Sequence, residues 1–167
     1  REAQKVRRAR QASSSRGPTH ASVVDADGNV AAMTTSNGSC SGVFVPGTGV
    51  QLKNVLGESD LHPEGFHATP PGTRIGSMMA PTLLELRDGR VVALGSGGSE
   101  RIRSALTQVM VSLVDGGRPL GDALLAPRVH DDGSTVQVEP DQPSGVVDAL
   151  AEVRPVNVWS RRNLYFG

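Results

Sequence analysis

Two short strand-like runs, residues 20–25 (His-Ala-Ser-Val-Val-Asp) and 30–35 (Val-Ala-Ala-Met-Thr-Thr), flank Asp25-Ala26-Asp27-Gly28-Asn29. Asp-Gly between such runs signals a hairpin, because glycine supplies the positive φ of a tight turn. Residues 82–86 and 91–94 predict a second hairpin around Arg87-Asp88-Gly89-Arg90, and its second strand runs into Gly95-Ser96-Gly97-Gly98-Ser99. Beyond that loop Ile102, Ala105, Leu106, Val109, Met110 and Leu113 recur at helical spacing. Ser99 is the expected N-cap, Glu100 falls in the first turn, and Gly116-Gly117 stops the helix. A shorter helix is predicted over 119–125, ended before Pro127. Residues 135–139 alternate as a strand, Ser144 is expected to cap a helix over 145–153, and 156–159 and 163–167 read as one or two strands. A chain ending on a strand with no closing polar segment is expected to be truncated there. Hairpins, a helix pair and late strands predict an α+β domain with helices layered on an antiparallel sheet.

The first 17 residues break this pattern. They lack sustained apolar spacing and lead into Gln11-Ala12-Ser13-Ser14-Ser15-Arg16-Gly17-Pro18, so they read as a short helix at best followed by a flexible linker. The sequence does not begin with Met, so further chain is expected upstream of Arg1. The division predicted is a leader over 1–17 and one domain over 18–167.

The formal net charge is zero, from 17 basic and 17 acidic residues. Residues 1–16 hold six of the basic residues and only Glu2 of the acidic ones, leaving 11 basic and 16 acidic in 17–167. A mildly acidic body argues against a nucleic-acid or membrane-surface binder, which needs a basic field. No apolar run reaches the length of a membrane span. The basic leader lacks the apolar stretch of a secretory signal. Cys40 is the only cysteine, so no internal disulfide forms and the compartment stays open. The five aromatic residues leave a lean core of Val, Leu, Ala and Met.

Local chemistry is sparse. Period 2 places His20 and Ser22 on one face of the first strand and Asp25 on the other, so they form no local Ser-His-Asp relay. His20 alone reads as a satisfied structural histidine. His20, His62, His67 and His130 are widely spaced, with no pair at i, i+4 and no Cys/His cluster, so no metal site is expected. The loop at 95–99 lies between a strand and a helix and has two readings. It is either an anion or oxyanion cradle of backbone N–H groups or a tight turn without a ligand. It lacks the Lys of a phosphate-binding loop. Ser77 and Glu58, both in loop segments, read as ordinary turn residues when taken singly.

Their order changes that reading. Thr19-His20-x-Ser22-Val23-x-Asp25-x-Asp27-Gly28-Asn29, Thr35-x-Asn37, Met79-Ala80-Pro81-Thr82, Gly95-Ser96-Gly97-Gly98-Ser99-Glu100-Arg101-Ile102 and Ala126-Pro127-Arg128-x-His130 follow one another. Together they resemble the small subunit of gamma-glutamyltranspeptidases, members of the N-terminal nucleophile hydrolases, from about Pro18 to at least His130. The resemblance implies half of an αββα sandwich, incomplete without a large-subunit-like chain or upstream precursor region. It also implies a precursor that cuts itself before a threonine. The freed hydroxyl then takes the γ-glutamyl group of glutathione or a related amide as an ester, with its own α-amine as base, and passes it to water or an amino acid. No cofactor is implied.

Carried over by position, the family's nucleophile stands two residues before the histidine, where this chain has Pro18. Proline has no hydroxyl and, inside the chain, no free amine, so the usual chemistry cannot occur there. Thr19 is the neighbouring substitute, but a one-residue slip along a strand turns a side chain to the other face. Thr35 matches the hydroxyl assisting the nucleophile, Asn37 a substrate-contacting amide, and Glu58 the acid that holds the substrate's α-amine. Ser77 matches the first of two substrate-binding serines, while the second position is Met78. The oxyanion pair corresponds to Gly97 and Gly98, or to Gly98 and Ser99 when aligned from Arg101-Ile102. Val55 replaces a usually polar side chain, and the arginine that grips the α-carboxylate belongs to the large subunit.

The expectation is therefore a gamma-glutamyltranspeptidase-like segment, inactive as written. The alternatives are a non-catalytic γ-glutamyl or amino-acid binding module, a partner subunit lending Glu58 and Ser77 to another chain, or a serine hydrolase using Ser96 or Ser99. Half a sandwich is also expected to be weakly stable alone or to self-associate as a homo-oligomer.

Overall fold

A computed structural model of the 167-residue chain describes residues 18–58 and 61–167. The expected leader, 1–17, lies outside the described residues. Strands β1 (Thr19–Val24) and β2 (Val30–Thr35) form the first hairpin, with Thr19 opposite Thr35 and Val24 opposite Val30. Its turn is built by Asp25, whose Oδ1 accepts from the N–H groups of Asp27 (2.9 Å) and Asn29 (2.8 Å). Asn29 Nδ2 donates to Oδ2 at 2.7 Å, and Gly28 takes the positive φ of 85°. These bonds, from Asn29 foremost, hold the Asp25 carboxyl below its ordinary value of 3.8. The second hairpin pairs β3 (Thr82–Glu85) with β4 (Val91–Leu94).

Helix α1 (Arg101–Val114) supplies the main core. Its stripe of Ile102, Leu106, Val109 and Leu113 packs with Leu94, and Leu84, Val92, Met78 and Ala80 close around it. Burying each such side chain contributes roughly 1.5–3 kcal/mol. Helix α2 (Leu120–Leu125) adds Ala123 to the cluster. The periodic face is as expected, but the start differs. Ser99 is not the N-cap: it has φ 58°, in the left-handed region, and Glu100 precedes the helix with no side-chain cap. The N–H groups of Arg101 and Ile102 donate instead to the carbonyls of Gly98 (3.2 Å) and Ser99 (3.0 Å), so the loop's own backbone closes the first turn.

The rear sheet orders β5 (Val129–Asp131), β6 (Val136–Val138) and β7 (Val156–Val158), with β5 antiparallel and β7 parallel to β6. The parallel pairing requires the crossover through helix α3 (Ser144–Ala151). Ser144 is the first helical residue rather than the cap, because Pro143 at φ −55° sets the turn one residue early. Residues 163–167 are not a strand. Asn163 Oδ1 accepts from Tyr165 N–H at 2.9 Å and folds Leu164–Phe166 into a 3-10 turn that buries Phe166.

Candidate active site

A cavity of about 600 Å³ opens where the two hairpins, the 54–58 turn and the start of α1 meet. Pro18, Glu58, Ser77, Met78, Gly98 and Ser99 all line it. Residues far apart in the chain thus share one space, each held by local backbone chemistry. Pro18 immediately precedes β1 and sits against the glycine loop. A Cβ built on Gly97 would come 3.0 Å from both Pro18 Cγ and Cδ, so glycine is what lets the loop approach this closely. Gly97 itself touches Pro18 but is not in the cavity wall, whereas Gly98 and Ser99 are.

Glu58 follows the 3-10 turn Val55–Gly57, closed by Gly57 N–H to the Asn54 carbonyl at 2.7 Å and Glu58 N–H to the Val55 carbonyl at 3.1 Å. Gly38, at φ 64°, lies against this turn, and any Cβ there would collide with Asn54 Oδ1 and Glu58 Oε1. Asn54 Oδ1 also accepts from Ser39 N–H at 2.7 Å. The loop after β2 thereby fixes the carboxylate's turn. Ser77 Oγ accepts from Met79 N–H at 3.1 Å. That contact orients the hydroxyl and leaves its proton available to a ligand.

Besides Gly97, three expected residues are not in the wall. Thr19 and Thr35 face each other across the hairpin, both exposed, and Asn37 is exposed with its carbonyl accepting from Cys40 and Asn54 N–H groups. His20 is satisfied as a structural residue. Its Nδ1 lies 2.8 Å from Thr34 Oγ1 and its Nε2 2.9 Å from Ser22 Oγ, and its ring fills the space beside Gly95 that a Cβ would need.

The cavity also holds groups that residue-by-residue reading did not single out: Ser36, Ser39, Lys53, Asn54 and Arg101. The one signal for Arg101 was its position just after the glycine loop, which puts it in the first turn of α1. Behind it stand Trp159, Tyr165 and Phe166. Tyr165 stacks on Trp159 at 4.9 Å and meets Phe166 edge-on at 5.0 Å. Burial pushes the Tyr165 hydroxyl up from 10.0, against the opposing pull of Arg101. Among the described residues no group of three or more His, Cys, Asp or Glu is placed to hold a metal, and no helix is long and apolar enough to cross a membrane.

The family model described as gamma-glutamyltranspeptidase matches residues 1–163. The chain belongs to the gamma-glutamyltranspeptidase family. Among curated relatives, it is 39% identical over 137 residues to the acylase ACY 1 proenzyme of Pseudomonas sp. (strain SE83), covering 79% of this chain and 24% of that one. It is 33% identical over 135 residues to the glutathione hydrolase proenzyme of Bacillus subtilis (strain 168), covering 79% of this chain and 23% of the relative. The chain therefore spans about a quarter of the length of these relatives. Among solved structures, the gamma-glutamyltranspeptidase of Pseudomonas nitroreducens complexed with L-DON superposes with a TM-score of 0.68 at 29% identity, over 87% of this chain and 84% of that one. The transpeptidase CapD of Bacillus anthracis gives 0.64 at 26% identity, over 85% and 78%. The α+β fold of this gamma-glutamyltranspeptidase family member is thus that of the N-terminal nucleophile hydrolases.

Proposed function

We propose that the cavity is a γ-glutamyl site that binds its substrate but, with Pro18 at the nucleophile's position, does not perform the family's acyl transfer. The observation that carries this reading is the convergence of Pro18, Glu58, Ser77, Gly98 and Ser99 on one cavity wall. In this assignment Glu58 receives the α-amine and Ser77 donates to the α-carboxylate. Backbone N–H groups at the start of α1 receive the γ-carbonyl oxygen. Gly98 and Ser99, which line the cavity, suit that last role better than Gly97 with Gly98.

Acyl transfer needs a hydroxyl whose oxygen bonds to the γ-carbonyl carbon while its proton passes to a base and the amine departs. Pro18 has neither hydroxyl nor free amine. Thr19 has the hydroxyl, but it sits on the exposed face opposite Thr35, outside the cavity wall. That geometry favours a non-catalytic binding role over a shifted nucleophile. Residues 1–17 are assigned to the tail of a large-subunit-like region still joined to a domain over 18–167. The family match beginning at residue 1 supports this, as do relatives that are proenzymes. The partner in this reading is a large-subunit-like region, and the ligand is a small γ-glutamyl compound.

The test is prolonged incubation followed by intact-mass measurement and assay against a chromogenic γ-glutamyl anilide. The chain is expected to stay whole and to release no dye. A new N-terminus at Thr19 together with turnover would overturn the reading.

A further inference from the structure

The glycine loop that brings Gly98 and Ser99 to the cavity is gripped from two sides. Strand β4 ends at Leu94, and the next three residues continue its alternation. Gly95 lies against the His20 ring and Gly97 against Pro18, both at the front of the molecule. Ser96, between them, points the other way. Its side chain meets Gly167, where any Cβ would collide with Ser96 Oγ. Neither Ser96 nor Gly167 lines the cavity.

The rear contact has no room to spare. A Cβ on Gly167 would also come 3.0 Å from Ala105 Cβ in α1 and 3.5 Å from the Gly97 carbonyl oxygen. Gly167 takes φ 97°, in the region that a side chain disfavours. The turn that carries it is anchored. Asn163 Oδ1 accepts from Tyr165 N–H at 2.9 Å, and the Leu164 carbonyl accepts from Gly167 N–H at 3.3 Å. Buried Phe166 meets Trp159 edge-on at 5.5 Å, and the main-chain N–H of Trp159 donates to the Val138 carbonyl of β6 at 2.9 Å. The turn is thus a fixed part of the rear packing. At the front, a Cβ on Gly97 would stand only 3.0 Å from Pro18, so the loop cannot move forward without pressing on the residue at the nucleophile's position.

We propose that Ser96 and Gly167 are positioning residues of the site. Their contact sets how far forward the glycine loop stands, and with it the N–H groups at Gly98 and Ser99 that the reading above gives to the γ-carbonyl oxygen. Of the two groups an added Cβ at Gly167 would meet first, Ala105 is buried in the helix and Ser96 is only half-buried, so the loop is what moves. This rests on the γ-glutamyl reading only for the ligand that reports on the loop. The contacts themselves do not.

Two readouts on the full natural polypeptide separate the claims: the amide resonances of Gly97 and Gly98 in glycine-labelled protein, and L-glutamine affinity by ligand-observed NMR. Gly167→Ala is expected to move both resonances and to weaken L-glutamine by about 5–100-fold, the range for overpacking a close contact. Ser96→Ala alone should change affinity by less than about twofold. The double variant keeps the backbone strain at residue 167 but loses the hydroxyl that the new side chain strikes. It should therefore recover part of the affinity and bring both resonances back toward wild type. Single effects that merely add, or a Gly167→Ala protein with unmoved resonances, overturn the inference. Should Gly167→Ala fail to fold, Ser96→Val enlarges the other partner, whose backbone is not left-handed, and should reproduce the shifts and the loss. No change in that variant overturns the inference too. If wild type binds no L-glutamine, the γ-glutamyl reading falls and the resonances alone decide. The inference then stands only if Gly167→Ala moves them and the double variant returns them.

Discussion

From Leu94 onward the chain buries ten apolar side chains, whereas among described residues 18–93 none is buried to that degree and Val23 and Met33 are each 60% exposed. The front therefore folds without a core of its own. Its second hairpin leans on α1 through Leu84 and Val92, and its first is tied to that hairpin by contacts such as Ser22 Oγ to the Ala93 carbonyl at 3.5 Å. In the first hairpin β2 alternates half-buried and exposed residues, whereas β1 is exposed along its length except at His20. His20, Ser22, Thr34 and Ala32 turn toward the second hairpin, while Ala21, Val23, Ala31 and Met33 share the opposite, open face. An apolar sheet face without a cover is what half of a layered fold leaves behind. The rear has its own helix packing, aromatic cluster and three-stranded sheet. The cavity lies at the seam, with Pro18, Glu58 and Ser77 from the front and Gly98, Ser99 and Arg101 from the start of the rear.

The contrast breaks first at Phe166, 2% exposed and in contact with both Trp159 and Tyr165. Phe166→Ala is expected to cost about 3–5 kcal/mol in a urea titration. A loss below 1 kcal/mol would mean the rear is not a packed unit. Next comes Gln108, whose amide replaces strand pairing at β5. Its Nε2 donates to the Val129 carbonyl at 2.8 Å, and its Oε1 accepts from Val129 N–H at 2.9 Å. Gln108→Leu leaves both main-chain groups unpaired and should destabilise by about 1–3 kcal/mol. Unchanged stability would show that the rear sheet does not depend on this bridge.

Smaller effects distinguish the two regions through acid. Asp132, in the β5–β6 turn, accepts from Gln137 Nε2 at 2.9 Å and from Ser134 Oγ at 2.8 Å, which holds its carboxyl far below 3.8. A depressed folded-state pKa adds stability that is complete above about pH 4 and is lost as pH falls through the folded value. The urea midpoint gap between wild type and Asp132→Asn should be widest near neutrality and should narrow as pH falls from 5 to 2. A gap that does not narrow excludes the carboxylate as its source. Smallest of all, Met33→Ala should change the isolated chain's stability by less than about 0.5 kcal/mol, because its side chain is largely exposed. A core-sized loss there would mean that the chain itself covers the open face, for instance by self-association.

Much of this was legible in the sequence because it is local. Both hairpins follow from Asp-Gly turns between apolar runs, and the buried face of α1 follows from its spacing. What was not legible depends on tertiary partners. Ser99 looked like a cap, but the glycine loop bends through the left-handed region and caps the helix with its own carbonyls. Residues 163–167 read as a strand, yet Asn163 turns them so that Phe166 can bury itself. Strand β5, only three residues long, has no period to read. At the site, ordered motifs pointed to Pro18, Glu58, Ser77, Met78, Gly98 and Ser99. Lys53 lies outside every motif and looks like any solvated surface charge, and Arg101, although it closes the glycine-loop motif, served only to align it.

The central claim, that this cavity is a γ-glutamyl site whose nucleophile position is Pro18, is tested most directly by Pro18→Thr in the full natural polypeptide. The readouts are intact mass and turnover of a γ-glutamyl anilide, measured side by side with wild type. The account predicts that the variant cleaves before residue 18 and gains turnover while wild type stays whole and silent. A correctly folded variant that neither cleaves nor turns over, or a wild type that already does both, would contradict it.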